Sequence, residues 1–348
     1  MIILIDFFWL FFSSIIFFSI IQIVKANNSY FSQQNHKFGI EKNYKPRFGG
    51  LGLMILISFL MFSESSSFIK LFVLSIFPIF ILNIIDDTFQ NISEKKRIII
   101  TFFSSLIFIH LIGYDLPALE NVPLINVITT NDICRLFFFI FVLTGFINAV
   151  NMTDGANGVC SFYTLISLII FKKFLNLYNL DESLVNDINI VVYFYFVFFL
   201  FNYPFGKLYL GDSGSYISGF LLGSLSLYIY NIQPIEITPW IYVLILIYPI
   251  MEILFTLFRR ILNLKNPTKP DNMHLHNLIH DFINKNKITK NFASEIKNSF
   301  VLIILLPLML LPFLSIQIFG FENFIFYTII LFIFSYLCLY FYLSKGFK

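Results

Sequence analysis

The sequence predicts an all-α integral membrane protein, a polytopic bundle of about eleven transmembrane helices. The first observation is composition: of 348 residues, 58% are hydrophobic and only 12% are charged. A water-soluble chain of this kind would lack the polar residues needed to cover its core. The second observation is that apolar stretches near the length needed to cross a bilayer, about 20 residues, recur along the whole chain. The third is a one-sided distribution of positive charge.

Eleven apolar segments are predicted to span the membrane in chain order. They cover residues 2–24, 49–63, 68–85, 98–113, 134–148, 159–171, 190–204, 214–231, 239–258, 299–319 and 323–343. The first is interpreted as a retained span and not a signal peptide, because it carries Asp6 and lacks a basic leading region. A short polar connection, Ser63–Ser67, separates the second from the third, and Asp86 and Asp87 end the third.

Positive charge is distributed unequally between the two sides of this predicted bundle. If the N-terminus lies outside, nineteen of the 23 Lys and Arg residues fall on inner connections. The four on the outer side are Lys70, Arg135, Lys172 and Lys173. Because cytoplasmic connections of membrane proteins are enriched in Lys and Arg, we predict that the N-terminus is outside and the C-terminus inside.

The unusual polar motifs of the chain fall on the same inner side. They are KPRFGGLG (45–52), DDTFQNISEKKR (86–97), NAVNMTDGANG (148–158), LGDSGS (210–215) and RRILNLKNPTKPDNMHLH (259–276). We expect one transmembrane domain, residues 1–348, with catalytic cytoplasmic loops at 25–48, 86–97, 148–158, 205–213 and 259–298. Such a set of loops on one face of a helical bundle indicates an active site at the cytoplasmic membrane surface.

Three carboxylates are the main candidates for catalysis. Asp86 and Asp87 are adjacent on a helix and point about 100° apart, so they could divide metal binding from proton transfer. Ionised groups at a membrane-facing helix end are costly and usually functional; a helix end that reaches water is the alternative. Asp212 precedes a helix that Ser213 and Ser215 could cap, and whose N-terminus would favour a phosphate. Carboxylates favour Mg²⁺, which also binds substrate phosphates.

Cations and histidines are the next candidates. Lys95, Lys96 and Arg97 are the cations nearest to the aspartate pair in sequence and could hold a diphosphate, although inner-side charge alone would also explain them. His274 and His276 would share one side of an extended segment. Their position is compatible with contact to a phosphate and equally with metal binding. The chain has no GxxxxGK[ST] motif, which disfavours a P-loop ATPase.

The five motifs, their order and their common side resemble the polyprenyl-phosphate N-acetylhexosamine-1-phosphate transferases, glycosyl transferase family 4. The resemblance covers residues 36–280, and the flanking segments fit the eleven-helix topology of that family. Its members include initiators of O-antigen and related surface glycans, and the phospho-N-acetylmuramoyl-pentapeptide transferase of peptidoglycan synthesis.

The resemblance implies a role for each matching residue. Asp86 is similar to the residue proposed to deprotonate the lipid phosphate, and Asp87 lies beside it at the metal. Metal binding is implied for Asp212 and Asn151, uracil contact for Asn157 and Tyr209, and diphosphate binding for Arg97 or its neighbours Lys95 and Lys96. Asp154 belongs to the nucleotide loop, and His274 and His276 occupy the histidine motif of the last large cytoplasmic loop.

The sequence departs from the family pattern at three positions. Asn157 stands where many members have a second Asp, Asn277 replaces the second of two consecutive histidines, and Glu252 replaces an Asp. Because HLHN also differs from the three-histidine pattern of the peptidoglycan enzyme, we favour a surface-glycan initiator and keep the peptidoglycan enzyme as the alternative. A multi-pass transporter is disfavoured, because the charge clusters lie at segment ends on one face and not at mid-membrane.

The implied reaction transfers a sugar-1-phosphate, expected to be an N-acetylhexosamine-1-phosphate, from a UDP-sugar to undecaprenyl phosphate and releases UMP. It requires Mg²⁺, for which Mn²⁺ could substitute; direct attack and a covalent aspartyl route are both compatible. The expected partners are the UDP-sugar, undecaprenyl phosphate and membrane lipid, but not nucleic acid, and a homodimer stays open. The expected location is the bacterial inner membrane, with the active site on the cytoplasmic face.

Overall fold

The computed structural model describes most of the chain and contains no strand in the described part. The described residues are 2–27, 46–63, 65–89, 91–113, 116, 119, 125–233, 237–264, 271–286, 289, 291–321 and 324–344. Most of the predicted loop 25–48 and parts of the loop 259–298 lie outside these ranges. All twelve predicted site residues lie within them.

Fourteen helices form the described part of the chain. They are α1 Ile2–Ala26, α2 Gly49–Met61, α3 Ser67–Phe89, α4 Glu94–Leu111, α5 Ile125–Thr129, α6 Asp132–Thr153, α7 Val159–Leu177, α8 Glu182–Asn202, α9 Gly211–Ile232, α10 Trp240–Ile245, α11 Ile247–Leu262, α12 Leu275–Lys285, α13 Ser294–Phe319 and α14 Ile325–Ser344. Each of the eleven predicted segments is helical. The ninth is divided at Leu246 into α10 and α11.

Seven of the described helices are long and apolar enough to cross a membrane. These are α1, α3, α6, α7, α8, α13 and α14. Many large apolar side chains also remain on the outer surface of the bundle, among them Phe141, Ile318 and Phe334, where lipid and not water is the fitting solvent. The protein is therefore a polytopic helical membrane protein, while the count of eleven spans and the orientation stay predictions.

Helix α9 lies at the centre of the bundle. It packs mainly on α3 and α6, and also on α2 and α7, and most of its side chains are buried on all sides. Its glycines and serines, in the run GDSGSYISGFLLGS, let neighbouring helices approach closely, as small residues do in membrane bundles. This packing brings the start of α9 beside the ends of α3 and α6, where three of the polar motifs lie.

Helix α12 lies within the segment 259–298, which the sequence analysis predicts only as a loop. Leu275, Leu278, Ile279 and Ile283 are buried along one face of it, at the spacing of an amphipathic helix. That face packs against α13 and α14. The packing anchors the histidine motif, because His274 and His276 lie at the start of this helix.

Candidate active site

The carboxylate of Asp87 holds the first turn of α9. One oxygen accepts the backbone N–H of Asp212 at 2.7 Å, and the other accepts that of Ser213 at 2.9 Å. The first N–H groups of a helix have no partner within the helix and carry partial positive charge, so an anion is stabilised there. Asp87, which is 6% exposed, therefore sets the position of the residue that follows Gly211.

Gly211 is required at this junction for two reasons. Its φ of +75° lies in the left-handed region that favours glycine. A Cβ here would also stand 2.3 Å from the carbonyl oxygen of Arg47 and 2.8 Å from one carboxylate oxygen of Asp87. Only a residue without a side chain lets Asp87 and the chain at Arg47 approach the start of α9 together.

Two arginines connect the remaining carboxylates. Arg97 forms an ion pair with Asp86, and its other terminal nitrogen lies 2.8 Å from Asp212. Arg47 lies 3.4 Å from the second oxygen of Asp212. The oxygen of Asp86 that does not face Arg97 accepts the backbone N–H of Ile92 at 2.8 Å. Two guanidinium groups thus offset the mutual repulsion of three carboxylates, and they are the groups best suited to bind phosphate oxygens.

Arg47 is the site residue that is missing from our predicted set. Its only signal in the sequence is its place in the inner motif KPRFGGLG. The structure holds it in place through backbone pairing: the N–H of Tyr209 donates to the carbonyl of Pro46 at 2.7 Å, and the N–H of Gly49 donates to the carbonyl of Tyr209 at 2.9 Å. This pairing places residues 46–50 beside residues 209 and 210, which precede α9, and brings Arg47 to Asp212.

The three consecutive cations of the 86–97 motif are separated by the structure. Arg97 reaches Asp86 and Asp212, whereas Lys95 and Lys96 are exposed on the first turn of α4. Successive helical residues point about 100° apart, so neighbours in sequence need not face the same ligand. Arg97 is the member of the predicted trio that belongs to the carboxylate cluster.

The loop 148–158 meets the cluster through Asn151 and Asp154. The hydroxyl of Ser215, on the first turn of α9, donates to Oδ1 of Asn151 at 2.6 Å. Burial raises the pKa of Asp154 to about 7; the positive charge of Arg47 opposes this shift, and the negative charge of Asp212 adds to it. The charges of the cluster therefore act on Asp154, and its carboxyl group is partly protonated near neutral pH.

Tyr209 and Asn157 lie side by side against Gly206. A Cβ at Gly206 would stand 2.8 Å from the ring of Tyr209 and 3.0 Å from the amide nitrogen of Asn157. Asn157 is 3% exposed, and its amide group is bonded to the side chain of Asn298 and the carbonyl of Pro204, each at 3.4 Å. The structure thus brings the two predicted uracil contacts together and also makes Asn157 a link between the loop and α13.

The histidine motif contacts the 148–158 loop directly. The rings of His274 and His276 are parallel, 6° apart in orientation, with centroids separated by 5.6 Å. A Cβ at Gly155 would stand only 2.0 Å from Nε2 of His276, so the loop backbone packs on that ring. Burial, with the charges of His274 and His280, lowers the pKa of His276 to about 3, so this ring is neutral at physiological pH.

The donor set of the cluster fits a hard cation that is shared with a ligand. Among the described residues, no three His, Cys, Asp or Glu side chains are grouped to hold a metal ion. However, Mg²⁺ usually takes only one or two protein carboxylates and completes its shell with water and substrate phosphates. Asp212, whose side chain is 21% exposed, and the nearby Asn151 offer such oxygens. All three candidate ligands have partners in the structure: Asp87 accepts N–H groups of α9, Asp212 pairs with Arg97 and Arg47, and Asn151 accepts the hydroxyl of Ser215.

Comparisons with known proteins cover the part of the chain that carries the three carboxylates. Residues 69–230, which begin within α3, end within α9 and include Asp86, Asp87 and Asp212, match the family model of glycosyl transferase family 4. An undecaprenyl-phosphate alpha-N-acetylglucosaminyl 1-phosphate transferase from Thermotoga maritima is 27% identical over 234 residues, which are 67% of this chain and 68% of the relative.

Relatives from peptidoglycan synthesis are also similar over shorter stretches. A phospho-N-acetylmuramoyl-pentapeptide-transferase from Streptococcus pyogenes is 29% identical over 44% of this chain and 48% of its own length. One from Staphylococcus aureus is 24% identical over 54% of this chain and 63% of its own length. The chain thus spans about half the length of the first of these two and somewhat more of the second. The matched region, its motifs and these relatives agree: residues 69–230, just under half of the chain, are similar to glycosyl transferase family 4.

Proposed function

We propose that this protein transfers a sugar-1-phosphate from a UDP-sugar to undecaprenyl phosphate, releases UMP and thereby starts a lipid-linked surface glycan. The observation that carries the proposal is that Asp86 and Asp87 at the end of α3 meet Arg97 in the first turn of α4 and Asp212 at the start of α9. Anionic and cationic groups in one partly exposed cluster suit a phosphate transfer, in which the protein contributes position and charge.

A magnesium ion would be held by Asp212 and Asn151, as the resemblance implies for these two residues. When bound, the ion would neutralise charge on the diphosphate oxygens. Asp87 would contribute by fixing the first turn of α9, and therefore the position of Asp212. The resemblance also implies Asp87 at the metal, and its two oxygens accept backbone N–H groups in the structure; a direct bond from Asp87 to the ion stays a prediction, as it does for Asp212 and Asn151.

The chain's own residues would carry the remaining steps. Arg97 and Arg47 would bind the diphosphate of the UDP-sugar, exchanging part of their contact with Asp86 and Asp212 for phosphate oxygens. Once Arg97 turns to the substrate, Asp86 is free to take the proton from the lipid phosphate. A lipid phosphate oxygen then bonds to the β-phosphorus, the bond from the β-phosphorus to the bridging oxygen breaks, and UMP leaves with that oxygen.

The nucleoside would lie where Tyr209 and Asn157 meet. An aromatic ring can stack on any base, because every base has a π-face. The half-buried Tyr209 lies three residues before Asp212. Asp154, which belongs to the 148–158 loop, and His276, which packs on that loop at Gly155, would form this side of the site. The sugar is proposed to be an N-acetylhexosamine such as N-acetylglucosamine, in accord with the name of the Thermotoga maritima relative.

The proposed location is the bacterial inner membrane, with eleven spans and the cluster on the cytoplasmic side. Support comes from the inner-side excess of Lys and Arg. A reporter fused after Glu182 should be active outside the cytoplasm, and one fused after Lys290 should be active inside it. The reverse result at either site would contradict the orientation.

The activity is tested directly with purified protein, undecaprenyl phosphate and a panel of UDP-sugars, with UMP release as the readout. We expect turnover with a UDP-N-acetylhexosamine, its loss on chelation of divalent cations and recovery with Mg²⁺. Asp212→Asn should turn over at least about 100-fold more slowly, since removal of a preorganised charged group typically costs that much. Turnover only with UDP-N-acetylmuramoyl-pentapeptide would favour the peptidoglycan alternative, which the Streptococcus pyogenes relative supports. Absence of UMP release with every donor would overturn the proposal.

A further inference from the structure

Glu252 is a buried carboxyl group that the proposed reaction does not use. It lies on α11 and is 0% exposed, which is costly for a carboxylate unless it has specific partners. One oxygen lies 3.4 Å from Nδ1 of His274. The hydroxyl of Thr256, one helical turn further along α11, lies 3.4 Å from the same nitrogen. Two oxygens therefore converge on one ring nitrogen of His274.

A chain of direct contacts leads from Glu252 to the 148–158 loop. His274 stacks on His276 with parallel rings, and His276 packs on the backbone at Gly155. His276 is 3% exposed, and its Nδ1 has no hydrogen-bond partner within the described part of the chain. Packing, and not hydrogen bonding at that nitrogen, therefore holds His276. The orientation of its ring depends on the neighbour it stacks against.

We propose that Glu252 is a positioning residue for the nucleotide side of the site. By accepting the proton of Nδ1, it fixes the tautomer and the ring orientation of His274, as a second partner commonly does for a functional histidine. The oriented ring supports His276, and His276 supports the loop at Gly155, next to Asp154. This inference rests on the proposed function, since it requires that the 148–158 loop contacts the UDP-sugar.

The test compares substitutions that keep or remove the contact. Glu252→Gln keeps an oxygen acceptor at the same reach, so the KM for the UDP-sugar should stay within about threefold of wild type. Glu252→Asp is shorter by one methylene group and cannot reach His274, so that KM should rise about tenfold, the size expected for one lost hydrogen bond to a charged group. The KM for undecaprenyl phosphate should change less than about twofold in both variants.

Asp187 provides a matched control for a purely structural role. It is also a buried carboxyl, 4% exposed, but it lies on α8 and accepts the backbone N–H of Ser66 at 2.7 Å. Asp187→Asn should lower the thermal unfolding temperature and leave the KM for the UDP-sugar unchanged. If Glu252→Asp behaves in the same way as this control, Glu252 is structural and the inference is wrong.

A double-mutant cycle isolates the path through His274. In a His274→Ala background, Glu252→Asp should raise the KM for the UDP-sugar less than about twofold, because its contact is already absent. A rise of the same size in both backgrounds would overturn the inference. UMP binding measured by calorimetry on the same variants gives a readout without turnover. A wild-type protein that neither turns over nor binds UMP would overturn the proposed function itself, whereas an active wild type with unchanged Glu252 variants would overturn only this inference.

Discussion

Replacement of Gly211 by alanine tests whether the start of α9 is built around Asp87 and Arg47. At its φ of +75°, an L-residue in the left-handed region costs about 1–2 kcal/mol. The new Cβ would stand 2.3 Å from the carbonyl oxygen of Arg47 and 2.8 Å from Asp87. The Arg47 carbonyl belongs to backbone that is held by the pairing at Tyr209, so relief must come mainly from Asp87.

The magnitude follows from what Asp87 must give up. Moving its carboxylate away costs at least one of its two hydrogen bonds to α9, worth about 1.5–3 kcal/mol for a charged acceptor. Together with the backbone cost, the total is about 2.5–5 kcal/mol. This cost should appear as a lower thermal unfolding temperature. The displacement of Asp212 should in addition lower turnover at least about tenfold, which corresponds to 1.36 kcal/mol of lost transition-state stabilisation.

The assay is UMP release by Gly211→Ala alongside thermal unfolding in detergent. Gly145→Ala is the matched control, because Gly145 lies within α6 and no atom stands within 4 Å of a Cβ there. Alanine is about 1 kcal/mol better than glycine inside a helix, so the control should keep wild-type turnover and equal or greater stability. If Gly211→Ala also keeps both turnover and unfolding temperature, the close approach at the start of α9 does not support the site.

Three further predictions follow from the site. Arg97→Ala should lower the rate of UMP release at least about 100-fold, because two charged contacts are lost. The double variant Lys95→Ala, Lys96→Ala should keep a rate within about threefold of wild type. Equal losses in the two variants would contradict the separation of these cations. Tyr209→Ala should raise the KM for the UDP-sugar about 5- to 150-fold, because it removes base stacking worth about 1–3 kcal/mol. Tyr209→Phe keeps the ring and should leave that KM unchanged. If Tyr209→Ala instead lowers the stability and leaves the KM unchanged, the tyrosine is a membrane-interface anchor. Finally, His276 has a pKa of about 3 in the folded protein against 6.5 when unperturbed, so below pH 6.5 the unfolded chain binds a proton that the folded chain refuses. This group alone lowers the stability by about 1.6 kcal/mol between pH 6.5 and 5, whereas Asp154, whose pKa is raised to about 7, acts in the opposite direction. The wild type should therefore lose about 1.6 kcal/mol of stability relative to His276→Asn over that interval, and parallel pH profiles of thermal unfolding for the two proteins would contradict the burial of a neutral His276.

Several features of the protein were predictable because they depend on local composition. Runs of apolar residues predict helices in a membrane protein whatever their neighbours, and all eleven predicted segments are helical. The resemblance to glycosyl transferase family 4 was also predictable, because it rests on short motifs in a fixed order. The family model matches residues 69–230, which contain three of the five motifs. The structure also brings Asp86, Asp87 and Asp212 together, as their common place at segment ends indicates.

The sequence alone determined the class of protein, its resemblance to a family and the three candidate carboxylates, since apolar length and motif order are properties of the linear chain. Only the tertiary structure decided which neighbours complete the site. Arg47 meets Asp212 across 165 positions of sequence, a pairing that no local pattern contains. The choice of Arg97 over Lys95 depends on the rotation of α4, which is set by its packing on α3 and α6. Contacts of this kind arise when helices pack, because packing selects one rotation and one depth for each helix.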